Sequence, residues 1–148
     1  MERRVSELLA SKHDGLHALG PDDTVADAVR LMNRENVGAV MIFDPEERLL
    51  GIFTERDVLR RVIDGRRDYE TTRLEEVMTR RLATLTPSMV VEEALQLVNT
   101  IGCRHLPVLD GERVVGMISI RDLTNSLVAA REQEISELTE YIAGGYGH

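Results

Sequence analysis

The stretch GIFTERDVL, Gly51–Leu59, returns 65 residues later as GMISIRDLT, Gly116–Thr124. A chain that repeats itself at a fixed offset is built from copies of one supersecondary unit, which limits its folds more than any single motif does. Around the motif, Gly51 matches Gly116, Ile52 Met117, Thr54 Ser119, Arg56 Arg121 and Asp57 Asp122. Upstream the best offset is 66, which matches Pro21 to Pro87, Val25 to Val91, Ala28 to Ala94, Leu31 to Leu97, Ile42 to Val108 and Asp44 to Asp110. The missing residue falls in a polar turn, DPEER against DGER. A turn is where a deletion costs least.

Both copies read in the same order. LHAL (Leu16–Leu19) and LATL (Leu82–Leu85) alternate as short strands. GPDDT and TPS then supply a break and capping residues before a helix. Val25, Ala28, Leu31 and Met32 fall at helical spacing in the first copy, and Val91, Ala94, Leu95 and Val98 in the second, with Leu31 and Leu97 as core positions. Two apolar strands around the polar turn follow, AVMIF with LLGIF and LPVL with VVGMI. TERDVLRRVI and SIRDLTNSLV open new helices. An apolar leader precedes each copy (Val5, Leu8, Leu9; Leu74, Val77, Met78), and the charged run Asp64–Arg73 links them.

The expected fold class is therefore α/β. Two tandem strand–helix–strand–strand–helix repeats, at 5–66 and 74–128, are related by a pseudo-twofold axis and followed by a helical extension at 129–143. In the extension Val128, Ile135, Leu138 and Ile142 stand at near-heptad spacing. Arg131 interrupts that stripe, which argues against a long coiled coil, and the pair Gly144–Gly145 reads as a stop.

Composition narrows the function classes. A net charge of −8 provides no broad basic field for a nucleic-acid backbone, and 3% aromatic residues leave few platforms for stacked bases. Any anionic ligand must be held by local donors. Cys103 is the sole cysteine, so neither an intrachain disulfide nor a thiol metal cluster is open to the chain. With His105 it makes a poor metal site, and it reads as a small half-buried strand residue. His13 reads as loop and His17 as a pocket-rim position. The paired arginines Arg60–Arg61 and Arg66–Arg67 read as solvated or ion-paired. No apolar run reaches the roughly 18 residues of a membrane span, and the start MERRVSELL lacks a signal-peptide core. The expectation is a cytoplasmic protein with no membrane or nucleic-acid partner.

Thr54 and Asp57, like Ser119 and Asp122, are spaced as a capping box at a helix start. Capping requires neither the glycine three residues before the hydroxyl nor the arginine before the carboxylate. A hydroxyl with unpaired N–H groups at a helix N-terminus is also an anion corner. A carboxylate one turn on accepts two bonds from a vicinal diol, as the acidic residue of dinucleotide folds does from ribose. Gly51 and Gly116 either admit a flat ring against the sheet or relieve crowding within a strand. Phosphate corner, diol acceptor and apolar slot together describe a nucleotide.

These motifs, with RHLPVLDGERVVG (Arg104–Gly116), resemble the CBS domain family, named for the regulatory domain of cystathionine β-synthase. The two copies resemble a tandem CBS pair, or Bateman module, over about Val5–Val128. The resemblance implies a non-enzymatic sensor that binds an adenosyl ligand (AMP, ADP, ATP, NAD or S-adenosylmethionine) in clefts between the repeats. It also implies dimerisation of pairs into a disc. It assigns Thr54 and Ser119 to phosphate and Asp57 and Asp122 to ribose, with Arg56 and Arg121 beside them, facing ligand, solvent or dimer. In the family the strand before the turn lines the base and often carries a basic residue near the phosphates; Arg104 and His105 occupy that place in the second copy, with Leu106 and Pro107 beyond. The first copy departs from this, with Gly38 and Ala39, then Val40, and Met41 in place of the proline. Thr84 and its counterpart Ala18 fall at a first-strand position that contacts ligand in the family.

Apolar residues after the motifs, Leu59, Val62, Ile63, Leu123 and Leu127, are expected to be uncovered and to drive a homodimer. The alternative function is a structural dimerisation module without working pockets. A nucleotide hydrolase is disfavoured, because the sequence has no P-loop and no nucleophile–base pair.

Overall fold

A computed structural model describes residues 2–12 and 15–146, with side chains through 144. In chain order the elements are α1 (Val5–Ser11), β1 (Ala18–Leu19), α2 (Val25–Glu35), β2 (Ala39–Phe43), β3 (Leu49–Thr54) and α3 (Glu55–Asp57), which runs on as a π-helical turn over Val58–Ile63. After these come α4 (Leu74–Val77), α5 (Val91–Ile101), β4 (His105–Asp110), β5 (Arg113–Ser119) and α6 (Ile120–Tyr146). They sort into two packed units, Asp14–Leu82 on one hand and Met1–His13 with Ala83–His148 on the other. The packed units are thus offset from the sequence repeats: α1, the leader of the first repeat, belongs with the second, and α4 belongs with the first.

Within Asp14–Leu82, α2 starts at a capping box. Thr24 Oγ1 accepts the Asp27 N–H at 3.2 Å and Asp27 Oδ2 accepts the Thr24 N–H at 3.0 Å. Those bonds hold the Asp27 carboxyl below its ordinary pKa, the Thr24 N–H first among the causes. The helix ends at Asn36, left-handed at φ 54°. β2 and β3 form an antiparallel hairpin from Ala39↔Thr54 to Ile42↔Gly51, with a bulge at Ile42/Phe43. β1 adds in parallel, Ala18↔Met41 and Leu19↔Ile42. The returning leader closes the unit: Thr72 O accepts the Val25 N–H at 3.0 Å, capping α2 from outside, and Thr79 bridges Ile52 through two backbone bonds of 3.0 and 2.8 Å. Phe53, Val40, Ile42, Val25, Leu74 and Val77 make the core.

The other unit repeats this plan with two differences. Arg3 O takes the capping role at α5, accepting the Val91 N–H at 2.9 Å, and α5 ends on left-handed Gly102. β4 and β5 pair from His105↔Ser119 to Val108↔Gly116, again with a bulge one step on. The strand expected at Leu82–Leu85, however, reduces to a single parallel bridge, Leu85↔Val108. The reason lies at Pro107. In the other unit Met41 donates its N–H to His17 O at 2.9 Å, and proline at the equivalent place has no N–H to donate. The second difference is α1, which runs seven residues where α4 runs four. Leu106, Val108, Ile118, Leu85 and Leu123 fill this core together with Val5 and Leu8 of the leader.

Several expectations need correction here. Val62 and Leu123 are core residues, at 3% and 0% exposure, whereas Leu59 and Ile63 stand out at 62% and 64%. Leu31 and Leu97 pack on their cores from a half-buried margin. Cys103 sits in the loop after the α5 cap, because β4 begins only at His105. Helix α6 continues past Gly144 to Tyr146. Glycine lowers helix stability by about 1 kcal/mol but stops a helix only when it turns left-handed. His13 lies outside the described residues.

Candidate functional site

Both motifs fold into corners where a strand hands over to a helix. Gly38 O accepts the Glu55 N–H at 3.1 Å in one, and Arg104 O accepts the Ile120 N–H at 2.8 Å in the other. Each strand-end residue faces the motif hydroxyl across the hairpin, Ala39 opposite Thr54 and His105 opposite Ser119. The capping box forms in both. Thr54 Oγ1 accepts the Asp57 N–H at 3.3 Å, and Ser119 Oγ accepts the Asp122 N–H at 3.1 Å. In return Asp57 Oδ2 accepts the Thr54 N–H at 3.0 Å, and Asp122 Oδ2 accepts the Ser119 N–H at 2.8 Å.

Beyond the box the corners diverge. Asp57 is 6% exposed and both of its oxygens are occupied. The Thr79 hydroxyl lies 3.0 Å from Oδ1 and 3.2 Å from Oδ2, and Arg61 Nε lies 3.5 Å from Oδ1. Arg61 also donates to Met78 O at 2.7 Å, so this carboxylate ties motif and leader together. Asp122 instead pairs with Lys12, whose Nζ lies 2.8 Å from Oδ2 and 3.0 Å from Met117 O, with both side chains 26% exposed. The Lys12 and Ser119 N–H bonds to Asp122 both converge on Oδ2. Burial pushes the Asp122 carboxyl up, but the Lys12 bond, the Ser119 N–H and the Lys12 charge outweigh it and hold the pKa below its ordinary value.

The motif glycines answer to crowding. A Cβ on Gly51 would stand 2.5 Å from Thr79 O, and one on Gly116 would stand 2.5 Å from Leu9 Cδ2. The leaders press against both positions, so leader packing alone accounts for glycine there.

The other sequence candidates scatter. Val40 and Leu106 are fully buried in the cores of their own units. Ala39 and Pro107 are buried as well. Arg104, Arg121, Thr84 and Ala18 are exposed, and Arg56, Gly38 and His105 are half-buried. His17 Nε2 is buried and has no partner among the described residues. Two residues that now shape the corners escaped the sequence reading, Lys12 and Thr79, whereas Arg61, read as solvated or ion-paired, pairs with Asp57. Lys12 lies seven residues after Val5 and Thr79 five after Leu74, so no repeat alignment pairs them. Among the described residues no group of His, Cys, Asp and Glu is placed to hold a metal, and no helix is long and apolar enough to cross a membrane.

Two sequence repeats, each a hairpin feeding a Gly-x-x-Thr/Ser-x-x-Asp helix start, define a tandem-repeat α/β architecture. The sequence model of the CBS domain matches residues 5–64 and 74–129, and the chain belongs to the CBS domain family. It is similar to the CBS domain-containing protein CBSX3, mitochondrial, of Arabidopsis thaliana, 41% identical over 129 residues. That match covers 84% of this chain and 63% of the plant protein, so the chain spans less than two thirds of this relative's length. A putative signal-transduction protein with CBS domains from Burkholderia ambifaria is similar in structure, with a TM-score of 0.81 and 36% identity over 86% of this chain and 95% of that one. A CBS domain protein from Pyrobaculum aerophilum, solved in complex with AMP, shares the fold at a TM-score of 0.72 and 23% identity, covering 81% of this chain and 89% of that one.

Proposed function

We propose that this protein is a regulatory, non-catalytic module that binds an adenosyl ligand, with the Ser119–Asp122 corner as its principal contact. The repeats at 5–66 and 74–128 supply the module and residues 129–143 an extension. The observation that carries the reading is the unequal state of the two carboxylates. Asp57 is enclosed and saturated, whereas the Asp122 carboxylate is one-quarter exposed, with its Lys12 and Ser119 N–H bonds gathered on Oδ2, and so stays within reach of a ribose hydroxyl. Arg104 and His105 stand at the strand end beside that corner, and Lys12 brings a further positive charge to it. A diol meets the Asp122 carboxylate while phosphate meets the Ser119 hydroxyl and the cations. The AMP bound to the Pyrobaculum protein supports adenosyl chemistry for this family. Asp57 and Thr54 then act mainly as a structural cap.

Calorimetry with AMP, ADP, ATP, NAD and S-adenosylmethionine tests the reading. At least one ligand binds the wild type, and Ser119→Ala and Asp122→Asn weaken it while Thr54→Ala has less effect. A flat response to all five ligands favours the structural dimerisation module instead, for which the exposed Leu59 and Ile63 supply the surface.

A further inference from the structure

Helix α6 serves its own unit only in its first half. Leu123 is fully buried and Ser126 is 6% exposed, with its hydroxyl 3.3 Å from Arg3 Nη1. From Arg131 to Gly144 every residue is exposed. That length of helix projects without tertiary cover, yet Ile135 is 65% exposed, Leu138 61%, Tyr141 80%, Ile142 50% and Val128 49%. Helices of this length are marginal alone in water, and an apolar stripe along one adds a further cost until something covers it.

We propose that residues 128–142 of α6 pair in parallel with the same segment of a second copy of this chain, as a short two-stranded coiled coil. Val128, Ile135 and Ile142 recur every seven residues and Leu138 follows Ile135 by three, which sets them at positions a and d of a heptad. β-branched residues at a with leucine at d favour parallel two-stranded pairing. Gln133 and Glu137, hydrogen-bonded at 3.2 Å, and Glu140 then lie on the outer face.

Charge selects the same occupant and the same direction. The seam is flanked by Glu132 and Thr139 at e and by Glu134 and Tyr141 at g. In a parallel pair each g residue meets the next e residue of the other strand, so Glu134 meets Thr139 and no like charges oppose at the flanking positions. Arg131 takes a d position and shares its layer with Arg131 of the other strand, but the hole that receives each one includes the other strand's e residue, Glu132, which offsets that repulsion. Each arginine therefore finds an opposite charge across the pair, which fixes register. An antiparallel pair that joins Ile135 to Leu138 sets Arg131 against Ile142 and gives it no acidic partner. The body of the unit already anchors the helix, so pairing does not have to nucleate it. Two heptads bury less than the roughly 1,200 Å² of a stable standalone interface, so the contact is reversible on dilution. None of this depends on ligand binding.

The test uses the full chain with Cys103→Ser, which removes the native thiol. Ile135→Cys, Leu138→Cys and the outer-face control Glu137→Cys are each oxidised gently and resolved without reductant. Ile135→Cys and Leu138→Cys should each cross-link to themselves about ten-fold faster than Glu137→Cys, because only seam thiols come within disulfide reach. Leu138→Glu should weaken self-association by sedimentation about ten-fold or more with an unchanged melting temperature. Cross-linking only when the Ile135→Cys and Leu138→Cys chains are mixed would mean antiparallel pairing and overturn the proposal. Rates no faster than the control would overturn it too, and would leave the stripe to a different protein. An unchanged association constant for Leu138→Glu would do the same.

Discussion

Asp57 and Asp122 carry the same motif letter, yet their surroundings assign them different work, and replacing each by asparagine separates the two. At Asp57 the amide keeps one acceptor, but its NH2 must face either the Thr54 N–H or the Thr79 hydroxyl, with Arg61 Nε 3.5 Å away. Two bonds fall from the charge-assisted range of about 1.5–3 kcal/mol to the neutral range of about 0.5–1.5 kcal/mol. With the arginine left facing an amide, the loss is roughly 2–3 kcal/mol, and at about 2–4 °C per kcal/mol for a chain of this size melting falls by about 4–12 °C. At Asp122 the Lys12 pair is one-quarter exposed on both sides and contributes about 1 kcal/mol at most. Asp122→Asn should therefore melt within a few degrees of wild type while nucleotide affinity falls by about 1.5–3 kcal/mol, roughly 10- to 150-fold. Differential scanning calorimetry and titration calorimetry on the same three proteins read both quantities. If Asp122→Asn is the less stable variant, or if Asp57→Asn abolishes ligand binding without lowering the melting temperature, the division of labour is refuted.

The depressed Asp122 pKa gives stability that is fully present above the ordinary carboxylate value of 3.8 and is lost as pH falls through the lowered one. The stability gap between wild type and Asp122→Asn in urea should be constant near neutral pH and close progressively in acid; a gap independent of pH contradicts the ion pair. Gly51→Ala drives a methyl into a backbone carbonyl, whereas Gly116→Ala meets only the flexible end of Leu9. The first should cost about 1–3 kcal/mol in denaturant titrations and the second less; equal costs would speak against the leader contact at Gly51. Pro107→Met restores a backbone donor opposite the Leu82–Leu85 segment, so hydrogen exchange should show a protected amide at position 107. An unprotected amide there means that something other than the missing N–H keeps that strand short.

The hairpins, the helix starts and the one-residue deletion in the second turn were legible because each rests on local chemistry: alternation, a capping pair, a polar loop. The assignment of leaders was not. Val5 and Leu74 are equivalent apolar positions, and nothing near either says which repeat will bury it. The shortened strand was half legible, since Pro107 is visible in the sequence but its effect falls on a segment more than twenty residues earlier. The contrast between Asp57 and Asp122 was out of reach for a related reason. It depends on Thr79 and Lys12, which arrive from leaders of different length and have no common register. The π-helical turn at Val58–Ile63 leaves no periodic signature that separates it from an ordinary helix.

The exchange of leaders also sets an order of events on the ribosome. Asp14–Leu82 is one continuous run, so every partner it needs has been synthesised once Leu82 is made. Helix α1 is made before that run, but the residues that bury Val5 and Leu8 begin at Leu85 and end at Leu123. At about 5–20 residues per second, the nascent α1 waits roughly 4–16 s for the first of them. During that interval its apolar face is open to α4's place in the unit already closing behind it, or to a chaperone. The Asp14–Leu82 unit can therefore close before the residues that bury α1 have been made.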